Sequence, residues 1–129
     1  MADALRWIGI ARKGGNIVLG EEKAKGLVKS GKASLFLVAS DASPGAARRA
    51  EGYVFGFDVP LITVPYTKEE LSAAAGGSVC ALAAFSDAAL AAHFVSELPE
   101  DGGGQYLEAA EKLKERAAGR KSGNRRKNT

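Results

Sequence analysis

The residues of this 129-residue chain with the chemistry of a nucleophile and its base are a single cysteine, Cys80, and a single histidine, His93. Such a pair needs a third group to orient the base, and the spacing identifies none. Cys80 reads instead as a small packing residue and His93 as a solvated helix residue. One cysteine excludes an internal disulfide, and one cysteine with one histidine cannot complete a Cys/His zinc site. The adjacent carboxylates Glu21-Glu22 and Glu69-Glu70 fall in the first turns of predicted helices, where the dipole and capping account for them. Gly14-Gly15 and Gly76-Gly77 lack the spacing of a phosphate loop. The chain is therefore expected to be non-catalytic, with no cofactor and no metal.

A different chemistry is available where the second predicted helix begins. The first N–H groups of a helix have no intrahelical acceptor and suit a phosphate or a base-edge acceptor. Gly20 precedes that turn and lets another backbone approach closely. Arg12 and Lys13 lie just before it in sequence, and Lys23, Lys25 and Lys29 lie within it. The formal net charge is +3, divided as +4 over residues 1–32, −4 over 33–98 and +3 over 99–129. Two basic clusters separated by an acidic middle suit a polyanionic partner. The composition, 46% hydrophobic and 26% charged, is that of a globular protein. No apolar run approaches the ~18 residues of a membrane span, and no secretory signal pattern opens the chain. A cytoplasmic protein is expected.

The elements that would position these residues follow from periodicity and punctuation. A helix over 3–13 has Ala4, Leu5, Ile8 and Ala11 at helical spacing and stops at Gly14-Gly15. Residues 17–19 form a short strand or an extended link. A helix with Glu21-Glu22 in its first turn runs to Gly31. Residues 35–39 are apolar on both faces and predict a buried strand. Ser43-Pro44 caps a third helix that reaches about Gly56. Residues 59–64 form a strand, and Thr67-Lys68-Glu69-Glu70 is a capping box opening a fourth helix. Residues 79–85 form a last strand, with Ser86 capping a helix to Leu98. Alternation of this kind predicts an α/β domain over 1–98. Residues 99–104 are a Gly-rich linker, 105–118 a marginal helix and 119–129 a disordered basic tail.

Several of these segments, taken in order, resemble the kink-turn-binding ribosomal protein superfamily of the large-subunit seven-Ae and thirty-e type. They are Gly20-Glu-Glu-Lys-Ala-Lys-Gly-Leu-Val-Lys-Ser-Gly31, Lys32 to Pro44, Val59 to Leu71 and Gly77 to Ala84. The Gly-Glu-Glu helix start is similar above all to the short bacterial YlxQ-type members. The resemblance covers about residues 4–98. It implies a three-layer α/β/α sandwich around a small four-stranded mixed sheet. It also implies a grip on kinked RNA flanked by sheared G·A pairs. In that reading Gly20 allows close approach, Glu21, Glu22, Lys23 and Gly26 face phosphates and guanine edges, and Gly77, Ser78, Val79, Cys80 and Ala81 pack on an extruded nucleotide. Strong binders carry Asn-Glu where this chain has Glu22-Lys23, and Lys where it has Gly26. Ionised Glu22 only accepts hydrogen bonds, and Gly26 removes a phosphate contact.

The expected function is thus recognition of structured RNA, either ribosomal RNA or a kink-turn-containing RNA, with ribosomal proteins as further partners. The alternative is a protein-interaction module in which the helix over 105–118 docks on a partner and the basic charge is incidental.

Overall fold

The computed structural model describes residues 4–77, 79–99 and 105–127, with Gln105 and residues 119–127 described by backbone alone. Six helices and four strands follow one another among them: α1 (Leu5–Lys13), β1 (Ile17–Leu19), α2 (Glu21–Lys29), β2 (Leu35–Val38), α3 (Pro44–Val54), β3 (Leu61–Thr63), α4 (Lys68–Ala75), β4 (Leu82–Phe85), α5 (Ala88–Ser96) and α6 (Gln105–Lys127). The strands form one mixed sheet in the order β1-β4-β2-β3. β4 runs antiparallel to β1 and β2, and β3 is parallel to β2. The α/β sandwich expected from the sequence is what forms.

Period-two alternation divides the sheet residues between two cores. Leu35, Leu37, Ile62, Ala83 and Phe85 face α1, α4, α5 and α6. Phe36, Val38, Leu82 and Ala84 face α2 and α3. β2 and β4 are buried along their whole length, which is why their sequences are apolar throughout.

Local signals set the helix starts. Ser43 Oγ accepts from the Ala46 amide at 3.1 Å. Thr67 and Glu70 form a reciprocal capping box at 3.1 and 2.8 Å. Ser86, expected to cap α5, does not. Its amide still serves the sheet side, donating to the Asn16 carbonyl at 2.9 Å. The cap is Asp87, whose carboxylate accepts from the Ala89 and Leu90 amides at 2.8 and 3.1 Å.

The carboxy-terminal expectations also need correcting. The linker lies, Pro99 apart, outside the described residues. The helix after it, expected to be marginal on its own, does not stand alone: Ala109, Ala110 and Leu113 are buried in the larger core and Tyr106 donates to the Thr63 carbonyl at 2.9 Å. The apolar face that would have docked on a partner is therefore used within the chain. Nor does the helix stop at Ala118. Its backbone stays helical to Lys127, as a run rich in Lys and Arg permits once packing has nucleated the helix.

Candidate nucleic-acid interface

Register brings one set of sheet ends together. Leu19 pairs with Ala83, and Val38 pairs with both Leu82 and Thr63. The last residues of β1, β2 and β3 and the first of β4 thus share one edge of the molecule. α2 starts there, and the segment before β4 crosses it.

Gly20 joins these two parts. Its φ of +105° lies where a side chain is strained, and a Cβ at this point would meet nothing within 4 Å. The glycine is required by backbone conformation, and the same open space leaves α2 approachable. Its amide donates to the Leu82 carbonyl at 2.9 Å, and its own carbonyl accepts from Ala24 at 2.9 Å. The first turn of α2 is thereby fixed to β4.

The 79–81 segment is held from two further sides. The Cys80 amide donates to Ser72 Oγ at 3.0 Å, and the Ala39 amide donates to the Ala81 carbonyl at 2.8 Å. Ser72 is buried at 3% exposure and passes its own proton to the Lys68 carbonyl at 2.8 Å. Sequence reading missed Ser72, which looked like one more small residue of α4. The Ala39–Ala81 bond prolongs the β2–β4 register by one pair, while the Cys80 amide turns to Ser72, and the strand expected over 79–85 begins only at Leu82. Val79 is left 58% exposed, Cys80 and Ala81 are half-buried, and Gly77 is exposed. Ser78, expected in the same loop, lies outside the described residues.

The predicted residues of α2 divide by direction. Glu22, Lys23 and Gly26 are exposed. Glu21 instead turns to α3. Its carboxylate accepts from Arg49 Nε at 2.6 Å and Nη2 at 3.1 Å, and from the Tyr53 hydroxyl. Those bonds, the Arg49 one foremost, lower the Glu21 pKa from its ordinary 4.5 to about 2. Glu21 is thus a tether between helices, and its charge is offset by Arg49. Arg49 and Tyr53 were not foreseen, since nothing in local spacing links residues 28 and 32 positions apart.

Arg12 is exposed on α1 and its charge is felt at Cys80. Lys13 is exposed in the last turn of α1, which leads into the start of β1. Gly20 follows the end of that strand, about 10 Å away for three residues. Lys13 thus stands at the other end of β1 from Gly20.

Cys80 and His93 have separate surroundings. Burial pushes the Cys80 thiol up, against opposing pulls from Ser72, the Gly20 backbone and Arg12, and a protonated thiol is a poor nucleophile. His93 is engaged elsewhere, stacked on Trp7 with ring centroids 4.6 Å apart. No cluster of three or more His, Cys, Asp or Glu able to hold a metal occurs among the described residues. No helix among them is long and apolar enough to cross a membrane. What the edge offers is a rigid helix start, exposed cations and a small apolar loop.

Comparison with known proteins bears on the family and the fold. The profile of the ribosomal protein L7Ae/L30e/S12e/Gadd45 family matches residues 2–92. Among solved structures, a Bacillus halodurans protein of unknown function is 23% identical, with a TM-score of 0.65 over 73% of this chain and 98% of its own. A Giardia lamblia 15.5 kD RNA-binding protein is 22% identical, with a TM-score of 0.58 over 85% of this chain and 83% of its own. No curated protein sequence gives a match.

Proposed function

The chain belongs to the ribosomal protein L7Ae/L30e/S12e/Gadd45 family, and from that premise we propose that it is a non-catalytic RNA-binding protein of the cytoplasm, associated with the ribosome. Its ligand is a kink-turn or similar internal loop, in ribosomal RNA or a riboswitch-like element, and ribosomal proteins are its neighbours there. The observation that carries this reading is the bond between Gly20 and Leu82, which fixes the open start of α2 beside the exposed 79–81 loop. The Giardia neighbour, described as an RNA-binding protein, has the same fold.

The mechanism is docking of a preformed surface. The α2 start meets the widened groove of the kinked helix, and Lys23 and Arg12 meet phosphates. Val79, Cys80 and Ala81 pack on an unstacked nucleotide, with Gly77 and Ser78 in the same loop. Glu22 accepts the N–H donors of a guanine edge. Such recognition uses RNA shape and a few base edges. Phosphate contacts supply most of the affinity, and the loop and Glu22 supply the specificity.

The deciding experiment is a titration against a kink-turn hairpin at near-physiological salt. Its control replaces the sheared G·A pairs with Watson–Crick pairs. Binding that is tight to the first and lost with the second is expected. Equal, weak and salt-sensitive binding to both would leave a general RNA binder and would remove the kink-turn.

A further inference from the structure

Three of the five phenylalanines, Phe36, Phe85 and Phe94, are fully buried. The other two are not. Phe55 is 84% exposed and Phe57 41%. They flank Gly56 in a turn closed by the Phe57 amide donating to the Val54 carbonyl at 2.9 Å. Phe55 at φ −60° and ψ 128°, followed by Gly56 at φ +85°, has the form of a type II turn. Val54 packs against the α2/α3 core, so the turn is anchored while its rings stand in water.

The surroundings of this turn are basic. α2 and α3 lie side by side, with Glu21 on Arg49 and Tyr53 and Lys25 Nζ over the Tyr53 ring at 5.5 Å. Lys29 follows Lys25 by one helical turn on the same side, toward the end of α3. Arg116 closes the group from α6. It donates to the Ala33 carbonyl at 3.2 Å and to the Asp58 carbonyl, which brings exposed Lys32 and Phe57 to the same place. The Asp58 carboxylate is paired with Lys112 and Arg116. Exposed Glu51 and Glu115 bound the area.

Exposed rings bordered by cations are the means by which proteins hold unpaired nucleotides. Bases stack on the rings, and the backbone follows the positive charge. A duplex offers no base faces to such a surface. We propose that the Phe55–Phe57 turn, with Lys29, Lys32 and Arg116, is a second RNA-contact surface that takes single-stranded nucleotides. Its Phe57 side lies by the starts of β2 and β3, the sheet edge opposite Gly20. It shares the RNA-binding reading of the chain and is independent of the kink-turn assignment.

The test uses the full chain and three probes: a short oligouridylate, the kink-turn hairpin, and vesicles of phosphatidylcholine with phosphatidylserine. Phe55→Ala is expected to lower oligouridylate affinity about tenfold, the loss of one stacked base, with hairpin affinity changed less than twofold. Lys23→Glu is expected to do the reverse. Oligouridylate binding that ignores Phe55→Ala would overturn the proposal, as would a loss confined to vesicle binding. Failure of the hairpin to bind would count against the kink-turn alone, because the oligouridylate arm reads the second surface by itself.

Discussion

Lys23 and Gly26 stand exposed on α2, so substitutions there change charge without disturbing the core. A lysine on a phosphate releases a counterion, and each such contact adds about 0.9 to the salt slope of binding to a duplex. Lys23→Glu should therefore weaken hairpin binding and flatten its salt slope by about one, whereas Lys114→Glu on exposed α6 should leave both nearly unchanged. Titrations across a salt series decide this, and equal losses would remove Lys23 from the interface. Gly26→Lys should act in the opposite sense. A Cβ at Gly26 meets nothing within 4 Å, and glycine inside a helix costs about 0.5–1 kcal/mol. The variant should melt higher and bind the hairpin more tightly. Higher stability with unchanged affinity would separate position 26 from the RNA. Lys23 was legible as a cation of the predicted helix, and Gly26 only through the family resemblance. Glu21 was not, because the Arg49 and Tyr53 that capture it come from a different helix.

That capture has a pH signature at the level of the α2–α3 pair. The Glu21 pKa is depressed in the folded chain, from 4.5 to about 2. Its contribution to stability is full above the unfolded value and is lost as pH falls from about 4.5 to about 2. Glu21→Gln should be less stable than the parent at neutral pH, and the gap should close across that acid window. Chemical denaturation at several pH values would show it, and a gap independent of pH would mean that the tether is not ionic. α6 offers a second test between elements. Leu113 is fully buried, and Leu→Ala at such sites costs about 2–5 kcal/mol. Leu113→Ala should destabilise the whole domain by that amount in urea unfolding. A loss under about 0.5 kcal/mol would mean that α6 is peripheral. Sequence reading located the other helices because caps and glycines mark them locally. It undervalued α6 because the helix has few large apolar residues. Ala109 and Ala110 look neutral in sequence, yet they let α6 lie close against α5 and the sheet.

Over the whole molecule, charge and topology act together. α2 and α3 follow the strands that end at one sheet edge and cover the same face, the first turn of α2 meeting the second half of α3 through Glu21, Arg49 and Tyr53. One edge therefore carries the start of α2 and the 79–81 loop. The other carries the end of α2 and the region where Arg116 meets Ala33 and Asp58, next to Phe57. The sequence showed two basic clusters separated by an acidic middle, but only the fold reveals that Lys23 and Lys32 of the first cluster serve opposite edges. The nine residues of α2 separate those edges by roughly 14 Å at 1.5 Å per residue. An RNA that occupies both surfaces must span that distance with single strand. Linked binding gains nothing while the linker is too short, and the gain is greatest when its length matches the span. Lengthening a single-stranded tail on the kink-turn hairpin should therefore leave affinity flat at first. Affinity should then rise sharply once the tail reaches the Phe55 turn, and decline slowly with further length. In Phe55→Ala the rise should shrink while the initial plateau stays. A gradual increase from the first added nucleotide, unchanged in Phe55→Ala, would mean that the tail meets only diffuse charge and that the two edges do not act on one RNA.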